Sequence, residues 1–188
     1  MAAEPATDEG ASTTRTATRF GIVNTTLAVI GVGVSTYLTW AHYTSAKNLA
    51  CSDKGTINCL KVTTSSYSKQ FGIPLAVLGL AFFVVTLAFQ NPWAWRSTSR
   101  LIRRGRIAIA AGGAVMVLWL LWVELFKLDA ICLYCSAVHV LSVLIFISTG
   151  LGTAATAESP DLYDDDEDEP VDTDDEEPAP RRRPAVRR

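Results

Sequence analysis

Outside one short block the sequence carries little negative charge. Of its 19 Asp and Glu residues, 13 fall between Glu158 and Glu177, so a formal net charge of −2 describes neither the body nor the tail and gives no argument for a nucleic-acid partner. Cysteine is also scarce, four in 188 residues. Cys51 and Cys59 have seven residues between them, outside the roughly two to four typical of structural zinc sites, which speaks against a zinc centre. No internal repeat is evident. The long apolar runs lack the alternation that strands of a membrane barrel require.

What remains is apolar. Four runs stand out, Phe20 to Tyr43, Phe71 to Phe89, Ile107 to Phe126 and Ala130 to Leu151. Each approaches the ~20 residues with which a helix crosses a hydrocarbon core of about 30 Å. Backbone groups in lipid are satisfied only in helices or closed barrels. The expectation is therefore an all-α membrane protein, a four-transmembrane-helix bundle with spans at about 20–43, 71–89, 107–126 and 130–151. The first run is longer than a signal-peptide core and follows a polar segment, so it reads as a span.

Orientation follows from the connections. NPWAWRSTSRLIRRGR, between the second and third spans, carries Arg96, Arg100, Arg103, Arg104 and Arg106, and arginine clusters of this kind stay on the cytoplasmic side. Both tails are then cytoplasmic, which Arg15 and Arg19 support; Lys47, Lys54, Lys61 and Lys69 in the first external loop argue weakly the other way. Residues 1–19 and 152–188 read as disordered tails, the second acidic and then basic. Loop 44–70 lies outside the membrane and is long for a connection in a bundle; with two cysteines, Ile57, Leu60, Val62 and Tyr67 to bury, it reads as a lid. A short helix is expected from about Leu60 to Lys69.

All four cysteines fall on or near the external face. Cys132 and Cys135 share one face of a helix. Asp129 is a candidate N-cap, placing Cys132 in the first turn, where the helix dipole favours a thiolate although the Asp129 charge opposes it. Cys135 lies about 4.5 Å deeper along the axis. Two thiol pairs suit a relay through mixed disulfides, and an acceptor dissolved in the bilayer explains a CxxC placed there. Static disulfides are the bland alternative, but a CxxC bridge closes too small a loop to add much stability. His139, one turn below Cys135, is a candidate hydrogen-bond donor to a bound ring, and Glu124 with Lys127 reads as an interfacial pair, with a proton-relay carboxylate as the minority reading.

These residues resemble a known family. CSDKGTINCLKVTTSSYSKQFGIPLAVLGL, followed two spans later by CLYC, is similar to the vitamin K epoxide reductase family in its bacterial form. The likeness covers about Gly21 to Leu151. It implies four helices around a quinone pocket, with Cys132 and Cys135 as the active-site pair, Cys135 reacting with quinone, and Cys51 and Cys59 as the shuttle pair. Cys59 would exchange with Cys132, and Cys51 would face the protein substrate. Ser65 matches the family's loop hydroxyl, and His139 stands where relatives acting on vitamin K carry a tyrosine. Many bacterial relatives carry a fused thioredoxin-like domain that this sequence lacks. A separate DsbA-like thioredoxin-fold protein is thus the implied electron donor, and menaquinone or ubiquinone the co-substrate, with no metal. The expected function is a thiol–disulfide oxidoreductase of the bacterial cytoplasmic membrane that supports disulfide formation. The alternatives are a reductase whose main product is reduced quinone or quinone epoxide, and a non-catalytic scaffold with structural disulfides.

Overall fold

A computed structural model describes residues 6–45, 49–51 and 53–157. The charged C-terminal stretch from residue 158, and Lys47, lie outside the described residues. Helix α1 spans Ala6–Thr44. Residues 6–19, expected to be disordered, extend the helix instead: once the apolar span has nucleated, each further residue adds cheaply at its end. The hydroxyls of Thr14 and Thr18 donate to the carbonyls four residues back, at 2.9 and 2.8 Å.

The loop expected to act as a lid follows as two minimal hairpins around a short helix. Strands β1 (Asp53–Lys54) and β2 (Ile57–Asn58) pair antiparallel, as do β3 (Lys69–Gln70) and β4 (Ile73–Pro74). The second turn needs positive φ at Phe71 (53°) and Gly72 (82°), the geometry that closes a two-residue hairpin with the twist of its strands. Between the hairpins, α2 covers Cys59–Thr63 and a 3-10 turn covers Ser66–Ser68. The single helix expected over residues 60–69 is thus broken. Its hydroxyl-rich run TTSSYS competes for the backbone, since Thr64 and Ser65 bond Leu60 and Val62 carbonyls through their own side chains.

Helix α3 (Leu75–Gln90) starts only after Pro74, not at Phe71, because the hairpin takes the preceding residues. It has 16 residues, about 24 Å. Helix α4 (Pro92–Arg96) is capped by Asn91, which accepts from Ala94 N at 2.9 Å. Then come α5 (Arg100–Val123), a π-helical segment (Glu124–Leu128) and α6 (Leu133–Ala157). Helix α6 therefore runs past the boundary expected at residue 152. Among the described residues three helices are long and apolar enough to cross a membrane, over Gly10–Thr44, Arg100–Leu128 and Leu133–Thr156; α3 is apolar but shorter.

Helix α1 packs against α3 and α6, and α5 closes against α6 and α3. Small residues permit the approach: Gly31 lies under the Phe83 ring and Gly113 under Phe82, where any Cβ would collide. Phe83, Ala28 and Ile145 are fully buried there. Facing outward are Val29, Val115, Leu118, Val140 and Ile147, all about half exposed or more, an apolar exterior suited to lipid.

One end of the bundle is tied by polar side chains. Gln90 Oε1 accepts from Asn24 Nδ2 (3.1 Å) and Trp95 Nε1 (3.2 Å), while Gln90 Nε2 donates to Thr149 Oγ1 (2.8 Å). The Arg106 guanidinium lies 3.7 Å above the Trp95 ring. Trp95 itself is buried.

Candidate active site

The opposite end holds the cysteines. A main-chain clasp joins the lid to the residue before α6: Ile131 N donates to Thr56 O (2.8 Å) and Asn58 N donates to Ile131 O (3.0 Å), a parallel bridge between Ile57 and Ile131. Strand β2 leads directly into α2, which begins at Cys59, and Ile131 is followed by Cys132, the residue just before α6. Asn58 caps α2 by accepting from Lys61 N at 2.8 Å, which places Cys59 in the first turn. Cys59 and Cys132 come to lie in one buried cluster with Leu38, Ala41, Leu49 and Val62, and Cys51 and Cys135 pack at its margin.

Cys51 and Cys59 form a disulfide, with Cα atoms 6.0 Å apart. Cys132 and Cys135 are free thiols, the first fully buried and the second partly exposed. Two tyrosines hold the lid beside its disulfide. Ala50 N donates to Tyr37 Oη and Tyr134 Oη donates to Ala50 O, both at 3.4 Å, and the two rings lie 5.2 Å apart. Tyr134 is the third residue of CLYC itself.

The cap of α6 differs from expectation. Asp129 adopts a left-handed conformation (φ 46°) that ends the π-helical segment and does not cap α6. Cys132 takes that position: its carbonyl accepts from Ser136 N (2.8 Å) and its Sγ accepts from Cys135 N (3.4 Å). A side chain accepting from the third helical N–H is the geometry of an N-cap. Just outside the span that starts at Leu133, the Cys132 thiol is lowered to about 7; the Cys135 thiol donating to it is the largest cause, backbone N–H groups add, and burial opposes. Thiolate is the form that attacks a disulfide.

Behind Cys135 opens a cavity of ≈ 110 Å³, roofed by the lid at Val62, Ser65 and Tyr67 and walled by Leu38, Leu120, Val123 and Val138. Ser35, Glu124 and His139 line it, are at most 5% exposed, and place Ser35 Oγ, Glu124 Oε2 and His139 Nδ1 without hydrogen-bond partners. Buried polar atoms are normally satisfied, and exceptions ask for an explanation. A mainly apolar pocket with a few convergent polar groups suits a ring bearing a small number of oxygens. Ser65 lines the cavity with its hydroxyl donated to Val62 O at 2.8 Å.

The expected Glu124–Lys127 pair is not formed. The wider π turn separates positions three apart, so Glu124 faces inward while Lys127 lies 5.3 Å from the Trp122 ring centroid. Ser35 was not singled out from the sequence, yet it shares a helical face with Leu38 and His42 at spacings of three and four, the pattern by which a lone hydroxyl in an apolar run can be found. Among the described residues no group of three His, Cys, Asp or Glu is placed to hold a metal.

A family model described as the vitamin K epoxide reductase family matches residues 22–149, from α1 through the cavity-lining part of α6. The chain belongs to that family. No curated protein matches it significantly. Family membership and the three long apolar helices identify a membrane oxidoreductase of the thiol–disulfide class. Members of the vitamin K epoxide reductase family in general use quinones and work with thioredoxin-like partners.

Proposed function

We propose that the protein reoxidises a separate DsbA-like thioredoxin-fold protein outside the bacterial cytoplasmic membrane and passes the electrons to menaquinone or ubiquinone in the bilayer. The observation that carries this reading is the joint burial of Cys59, from the lid disulfide, and Cys132, the capping thiol of α6, with Cys135 turned to a cavity of unpaired polar atoms. In this reading α3 serves as a fourth, short span, both tails are cytoplasmic, and the lid and all four cysteines lie outside.

The chain's own groups divide the work. A thiolate of the partner attacks Cys51, the more exposed end of the lid disulfide, and the freed Cys59 passes two electrons to a Cys132–Cys135 disulfide through a Cys59–Cys132 mixed disulfide. Cys135 then faces the acceptor. His139 and Ser65 orient a quinone ring against it, between the apolar walls. With the lid pair joined and Cys132 and Cys135 free, the arrangement corresponds to the stage at which the inner dithiol delivers its electrons to quinone.

Trapping tests the route. Cys135→Ala should accumulate a mixed disulfide between Cys132 and Cys59, and Cys51→Ala should lose oxidation of the protein partner while keeping quinone reduction by dithiothreitol. Recovery of Cys51 rather than Cys59 on Cys132 would sink the assignment. A reductase of quinone epoxide, the alternative, would turn over epoxide faster than quinone in the same membranes.

A further inference from the structure

Glu124 has no part in the electron route from Cys51 to Cys135. It opens the π-helical segment, is 4% exposed, and its Oε2 has no partner. Among the described residues, the side chains that share its cavity and can carry a proton or a charge are Cys135 and His139 of α6, His42 of α1 and Tyr67 of the lid, and no described lysine or arginine lines the cavity. A carboxyl held in an apolar site without a cation is a costly structural element, and intramembrane carboxyls commonly mark proton relays. π-Helical turns also concentrate at functional sites. Here the turn has a definite effect, because it moves Lys127 out to Trp122 and keeps Glu124 inside.

The electron transfer proposed above needs such a group. Oxidising the Cys132–Cys135 dithiol breaks two S–H bonds, forms one S–S bond and releases two electrons and two protons; reducing a quinone to a quinol takes up both. We propose that Glu124 is the catalytic acid–base of the quinone-facing half-reaction: its carboxyl gives a proton to the nearer quinone oxygen and is restored by the proton leaving Cys135 Sγ. The Cys132 proton passes to water beneath the lid, and the second quinone oxygen takes one from water, so atoms and electrons balance. The inference rests on the reading of the cavity as the quinone site.

The test uses the full chain in detergent with a short-chain quinone, following single-turnover oxidation of the dithiol, quinone binding by equilibrium titration, and the infrared difference spectrum between the reduced protein and the protein oxidised by diamide without quinone. Glu124→Gln should slow the single turnover by about 10²–10⁴-fold, the usual contribution of general acid–base catalysis, while the quinone Kd moves by less than about threefold and Glu124→Asp recovers most of the rate. The wild-type spectrum should contain a carboxyl band that is absent in Glu124→Gln. If the glutamine variant does not fold, the wild-type band and its displacement in Glu124→Asp decide the matter. A glutamine variant within about threefold of the wild-type rate, or a wild-type spectrum without a carboxyl band, overturns the role of Glu124 alone. A wild-type protein that passes no electrons to quinone overturns the quinone site and the role of Glu124 together.

Discussion

At one end of the bundle Gln90 bonds Asn24, Trp95 and Thr149, and Arg106 rests on Trp95, so helices α1, α3, α4, α5 and α6 meet in a group where each polar residue has a partner. Asn24 Oδ1 and Arg106 Nε stay unpaired, but each side chain keeps another contact. At the cysteine end Ser35 Oγ, Glu124 Oε2 and His139 Nδ1 line a cavity with no hydrogen bond among them. The same cost of burying polarity is met at one end by mutual satisfaction and left open at the other. That asymmetry separates a joint from a binding site.

Substitutions at the two ends should therefore move stability and activity in different directions. The largest effect is expected for Cys135→Ala, which removes the group facing the acceptor; thiol-dependent quinone reduction in membranes should fall to background while thermal unfolding in detergent changes little. Gln90→Leu should cost about 2 kcal/mol in unfolding experiments, because it removes three buried hydrogen bonds, leaves Trp95 Nε1 without an acceptor and leaves Asn24 and Thr149 only their mutual 3.4 Å bond, and turnover per folded molecule should stay at the wild-type level. His139→Leu should do the reverse. It removes an unsatisfied imidazole and should raise stability by roughly 1 kcal/mol, while quinone affinity falls about tenfold, the equivalent of about 1.4 kcal/mol. If Gln90→Leu lost turnover and His139→Leu lost stability, the contrast between the ends would collapse.

The smallest effect concerns the cap. With the Cys132 thiol near 7, thiolate absorbance of the protein should rise through neutral pH and be lost below it. Cys135→Ala removes the largest cause of the lowering, so the midpoint should shift upward, toward the free-thiol value of about 8.5. A midpoint unmoved by that substitution would mean that backbone N–H groups alone set the thiol.

Much of this was legible in the apolar runs, because a helix in lipid has to be long and uninterrupted. The joining of Cys51 to Cys59 was legible only through the family resemblance. What escaped was decided by local backbone geometry. Pro74 and the Phe71–Gly72 turn shortened the second run to α3, since the hairpin took residues that hydropathy alone assigns to the span. Asp129 reads as a cap by residue type, yet the π turn before it forces a left-handed exit and hands the cap to Cys132. Glu124 and Lys127 read as a pair at regular helical spacing and are separated by that same turn. Hydropathy is a property of composition, whereas the phase of a helix end depends on one hydrogen bond more or less.

The clasp between the lid and the start of α6 uses only main-chain atoms, two bonds between Thr56, Asn58 and Ile131. Its register therefore survives almost any exchange of the side chains around it. The outer surface of the lid is thereby free to change while Cys59 and Cys132 keep their mutual alignment.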